Sequence, residues 1–135
     1  MEPLATIRAK LAKYPKVQAE YDGDAVTVRS ETADGFDVTF YSCEPEFVVS
    51  LGGWHDHFDN ASDALAIFFI ALTIHARMRV TKRGATECKW TLEMLRGDAW
   101  LPHSTCSSFI SPFWLHRSTV IQQNDILPVT NECVQ

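Results

Sequence analysis

From Ala64 to Ile74 the chain reads ALAIFFIALTI, a run with almost no polar position until His75, Arg77 and Arg79. A helix at the edge of a small protein carries one apolar stripe and one polar face. The run therefore predicts a helix wrapped on most sides, from about Ala61 to Met78. Asp59 or Asn60 can cap it, and Asp63 sits near the positive end of its dipole. Upstream, Pro3 fits a helix's first turn, and Leu4, Ile7 and Leu11 recur at helical spacing to about Tyr14, where Pro15 closes the element.

Between these helices the period drops to two. Ala25–Thr32 reads as a strand with Val26 and Val28 on one face, and Ala33-Asp34-Gly35 carries a hairpin signal. Phe36–Cys43 follows with Phe36, Val38 and Phe40 inward, and Phe47–Leu51 gives a third strand after Glu44-Pro45-Glu46. Gly52-Gly53 breaks it, leaving Trp54–Asp59 as a lead-in to the long helix. Beyond the helix, Cys88, Trp90, Leu92 and Met94 alternate with polar residues over Thr86–Arg96, as in a half-buried strand. Trp100–Ile110, interrupted by Pro102, and Phe113–Gln123 complete the set.

The resulting order, α-β-β-β-α-β-β-β(β), predicts an α+β fold. Its antiparallel sheet has about six to seven strands, with a long buried central helix packed on one sheet face. The unburied side of that helix needs a cover, either the N-terminal helix or a two-fold copy, and isologous pairs are the commonest oligomers. A homodimer is the expectation. In element order and acidity the chain is similar to the dimeric, single-domain chaperones of bacterial secretion systems, although it finishes in strands where they finish in a helix. That likeness is one of topology and charge, and a shared fold transfers no function.

Length and composition place these elements in one domain. The chain has 135 residues, 46% apolar and 21% charged, enough for a single core over 1–123. Asn124–Gln135, with Pro128 and no periodicity, is expected to fray. The apolar run is shorter than the roughly 20 residues a membrane span needs. Arg8, Lys10 and Lys13 interrupt the N-terminal apolar positions, so no signal peptide is read there. The expectation is a cytoplasmic protein without a membrane partner. Cys43, Cys88, Cys106 and Cys133 lie far apart with no C-x-x-C pair, which suits free thiols in a reducing compartment.

Charge narrows the partners. The net charge is −5, and residues 17–63 hold eleven acidic groups against Arg29 alone. An acidic front half argues against nucleic acid, whose phosphates need a basic surface. Arg77, Arg79, Lys82 and Arg83 form the one short basic cluster, assigned to the end of the long helix and its following turn.

The stretch Trp54-His55-Asp56-His57-Phe58-Asp59 is densest in reactive side chains. If extended, it points His55 and His57 the same way, roughly 6.5–7 Å apart. With Asp59 they could hold a divalent metal; otherwise they are a polar lead-in while Trp54 and Phe58 enter the core. His75 suits a helix end, His103 and His116 lie on or near later strands, and Trp114 stands beside His116. No hydrolase elbow, phosphate loop or dinucleotide fingerprint occurs, so no cofactor is expected. Three readings follow. One is a non-catalytic homodimeric binding or assembly module that offers Trp54, His55, His57, Trp114 and His116 to a protein or small-molecule partner. Another is a metal-binding protein or metal-dependent enzyme using His55, His57 and Asp59. The third is a small-molecule pocket lined by Phe40, Trp90 and Trp114.

Overall fold

Pro3 opens a helix whose first free amide, that of Leu4, donates to the Glu2 carboxylate at 2.9 Å. This is α1 (Pro3–Leu11), which buries Ile7 and Leu11. In the computed structural model, which describes residues 2–108 and 111–129, the remaining elements are β1 (Ala19–Asp22), β2 (Ala25–Val28), β3 (Val38–Cys43), β4 (Glu46–Leu51), β5 (Trp54–Phe58), α2 (Ala61–Ile70), β6 (Ala76–Arg83), β7 (Thr86–Arg96), β8 (Ala99–Ser107) and β9 (Arg117–Gln122). The fold is α+β with two antiparallel sheets rather than one. Five strands run in the order β1-β2-β3-β4-β5 and four in the order β8-β7-β6-β9.

The first sheet is a meander built on period-two patterning. Val26, Val28, Val38, Phe40, Phe47, Val49 and Leu51 are buried on one face. The opposite face carries Thr27, Thr39, Tyr41 and Ser50, with Thr27 and Thr39 sharing a hydroxyl hydrogen bond of 3.0 Å. Phe40 meets Phe68 of α2 edge to face at 6.0 Å, which seats the helix on the sheet. The predicted strand from Ala25 stops at Val28, and the link to β3 is a loop over 29–37. Arg29 pins it by bonding Glu20 and Asp37, and Asp37 also accepts from the Ser30 amide. These two carboxylates raise the guanidinium's pKa.

The long central helix is corrected. It ends at Ile70, not Met78, and residues 76–83 are strand. Thr73 closes the helix: its hydroxyl donates to the Ile70 carbonyl at 2.8 Å and accepts from the His75 amide at 3.1 Å. From Ala76 the burial alternates, with Ala76, Met78 and Val80 inward and Arg77, Arg79 and Thr81 between them. A helix there would set arginines into the same core. The basic cluster therefore stands on a strand and its turn, not on a helix end.

The expected cover by the N-terminal helix is one part of what encloses α2. Ile67 and Ile70 are buried within the one chain. The strands β3–β5, α1 and the segment after β9 supply the cover. Of the stretch expected to fray, Asn124–Leu127 is packed, and residues 130–135 lie outside the described residues. The Leu72 carbonyl accepts from the amides of Ile126 and Leu127, both at 2.9 Å, and the Leu127 side chain is buried. Asn124 donates to the carbonyls of Phe36 and Ala71 and accepts from the Phe36 amide, tying the segment to the loop before β3 and the end of α2. Among the described residues no helix is long and apolar enough to cross a membrane.

The second sheet closes the core from the other side. Met78, Val80, Leu92 and Met94 join the same apolar cluster as α2 and the first sheet. Trp54 locks the two sheets together. Its side chain is fully buried, and its ring N–H donates to Ser104 of β8 at 3.0 Å. Beside it, a methyl group on Gly53 would overlap the Trp90 ring, so β5 can approach β7 only through glycine.

Candidate functional site

The sequence-predicted site residues fall into two separate groups. Trp54 belongs to the core and offers nothing to a ligand. His55 and His57 do point the same way, out from β5 on the polar face of the first sheet, with ring centroids 6.2 Å apart. His57 Nδ1 lies 3.2 Å from a Glu46 carboxylate oxygen in an exposed pair. Such an exposed pair contributes little to stability. Asp59 follows in the exposed turn before α2. Among the described residues no three His, Cys, Asp or Glu side chains are grouped to hold a metal. The His103 ring lies tilted beside that of Trp54, with centroids 6.4 Å apart.

The proposed pocket of Phe40, Trp90 and Trp114 does not assemble. Phe40 is sealed under α2, whereas Trp114 is 73% exposed. Cys43, Cys88 and Cys106 are free thiols, and Cys133 lies outside the described residues.

Trp114 and His116 sit in the second group, on the loop that enters β9. Phe113 and Trp114 meet edge to face at 5.3 Å, and both rings stand out in solvent. The His116 carbonyl accepts from the Gly84 amide at 2.8 Å, which ties this loop to the β6–β7 turn. Leu115 lies over Gly84. Across the described residues eight large apolar side chains are exposed, and five of them are Phe113, Trp114, Leu115, Val120 and Ile121. Three of the five stand on the loop that enters β9, and Val120 and Ile121, adjacent on the strand, face opposite sides of the sheet. Sequence reading found Trp114 and missed the other four. Phe113, Val120 and Ile121 carry an ordinary strand pattern, and only the missing second layer reveals their exposure.

The second sheet's outer face carries a charge cluster around Glu93. Glu93 is buried, and its carboxylate accepts from Arg77 at 2.7 Å and from Arg79 at 3.2 Å. Arg77 in turn lies flat over Trp100, 4.2 Å from the ring centre. Burial by itself would raise the carboxyl pKa, yet the two guanidiniums outweigh it and hold Glu93 below its ordinary value. Among the described residues no buried side-chain nitrogen or oxygen lacks a hydrogen-bond partner, and this cluster reads as structural.

A wide cavity of about 490 Å³ opens between Glu2, Asp24, Cys43 and Glu44. Comparison with known proteins finds no matching family model, curated protein or solved structure. The reading of function therefore rests on the aromatic loop, the strand it enters and the remaining surface of the second sheet.

Proposed function

We propose that this protein is a binding and assembly module that associates with a second copy of itself through β9 and the Phe113–Leu115 loop. The observation that carries this reading is the concentration of exposed apolar side chains on residues 113–121, ending in an edge strand.

The four sheet edges are not equivalent. Edge strands invite pairing unless something blunts them. β8 carries Pro102, which has no amide to donate, and an irregularity at His103, where its register with β7 shifts between Leu92 and Glu93. β1 spans four residues and bears Glu20 and Asp22. β5 is backed by the second sheet through the Trp54–Ser104 bond and the Cys106 thiol on the His55 carbonyl. β9 pairs with β6 on one side, and on the other has no proline or bulge and a single charged residue, Arg117 at its first position.

An antiparallel pairing about a two-fold axis between Thr119 and Val120 suits the charge pattern. It sets Arg117 opposite Gln122 of the partner subunit instead of opposite a like charge. The homodimer expected from the buried helix is thus retained on different grounds and at a different surface. Sedimentation velocity over a micromolar concentration series tests it. The wild type is expected to sediment as a dimer, and Val120→Lys and Trp114→Ala to weaken association by about tenfold or more each. A wild type that stays monomeric throughout overturns the reading.

A further inference from the structure

A cavity of about 280 Å³ opens on the outer face of the second sheet, where β6, β7 and β8 meet the start of β9. Strand register builds it. Thr81 pairs with Lys89, Lys89 pairs with Ser107, and Arg83 stands directly opposite Arg117. Residues so far apart in sequence meet only because three strand pairings bring them together.

Its charge is out of keeping with the rest of the molecule. The protein carries −5 overall, and Arg29, Arg77 and Arg79 are each matched to a carboxylate. Arg83, Lys89 and Arg117 form no ion pair among the described residues. The acid nearest in register, Glu87, accepts instead from the Trp90 ring N–H at 2.9 Å. Like charges directly opposite each other across two strands are destabilising. An opposed Arg83–Arg117 pair with Lys89 beside it is a cost the fold bears without internal compensation.

We infer that this cavity is an anion site that takes the phosphate group of a small-molecule phosphate monoester. A monoester carries about −1.5 to −2 charge and three strong acceptor oxygens at neutral pH. That matches two guanidinium forks, an ammonium and the hydroxyls of Thr81, Ser107 and Ser111 better than a carboxylate does, with its single charge. The volume holds the phosphate and a small substituent, and the opening leaves the remainder of the ligand in solvent. The site shares Arg117 with the pairing strand β9, whereas Thr81, Arg83 and Lys89 lie on β6 and β7, so Lys89→Gln tests it apart from self-association.

Thermal unfolding and amide chemical-shift titration test this with inorganic phosphate, O-phosphoserine and adenosine 5′-monophosphate, each against sodium chloride at equal ionic strength. The expected result is saturable binding of both monoesters at least as tight as that of inorganic phosphate. At ten times Kd the melting temperature should rise by about 3 °C or more. Shifts should centre on Thr81, Lys89 and Ser107. Arg83→Gln combined with Arg117→Gln should weaken binding by about tenfold or more, as should Lys89→Gln alone, which leaves the opposed arginines in place. Lys16→Gln, an equal loss of charge elsewhere, should bind like the wild type. Absence of saturable binding overturns the proposal. So does binding of inorganic phosphate with exclusion of both monoesters, or an equal loss in Lys16→Gln.

Discussion

Glu93 shows how a single side chain couples charge to stability in this protein. Its folded-state pKa is depressed, so around the ordinary carboxylate value near 4.5 the native state binds fewer protons than the unfolded chain. The stabilisation is complete above that value and is lost as pH falls through the depressed one. Glu93→Gln should cost about 1–3 kcal/mol at neutral pH in denaturant melts, and the gap to wild type should narrow on acidification below about pH 4. A pH-independent gap would mean that packing, not charge, sets the cost. Asn124 makes the complementary case with neutral groups. Its buried amide serves Phe36 and Ala71 together. Asn124→Ala should destabilise by about 1–3 kcal/mol, because three buried backbone partners lose their bonds. Residue-level reading saw little of this. An asparagine after a strand looks like a loop residue, and Glu93 looks like one more polar position in an alternating strand. Each is defined by partners remote in sequence, Arg77 and Phe36 respectively.

At the scale of elements, periodicity served well where one face is buried and poorly where composition overrode it. The β2–β4 meander and β7 were legible because apolar residues alternate cleanly. The apolar run concealed the end of α2. Its hydrophobicity continues to Ile74, whereas the switch to period two begins only at Ala76, under arginines that suit a helix end equally well. β5 was missed as an element because His55 and His57 are polar on the open face and Trp54 alone marks the buried one. The approach of β5 to β7 depends on Gly53. Gly53→Ala should destabilise by about 1–3 kcal/mol in a thermal or denaturant melt, since the added methyl group has no room beside Trp90. Adding Trp90→Leu should recover part of that loss, and a strictly additive double variant would show that the two do not share the space.

For the whole molecule, the apolar helix led to the right question, and α1, one of its two expected covers, is part of the answer. The strands and helices of one chain enclose Ile67 and Ile70, so that helix gives no reason for a second subunit. The sequence could not show that the second sheet leaves β9 and its entry loop bare, because exposure depends on which strands form the edges. The −5 charge likewise masks a local cationic cavity that exists only through register. Both candidate surfaces belong to the second sheet, one along an edge and one on its outer face, and neither uses the histidines that stood out in the sequence. The central claim is that the bare edge of β9 is covered by a second copy. Hydrogen exchange read by mass spectrometry on peptides spanning 113–122, at low and high protein concentration, tests it at the surface concerned. The account predicts slower exchange over Arg117–Gln122 at the higher concentration and no such change in Val120→Lys; identical uptake at both concentrations would contradict it.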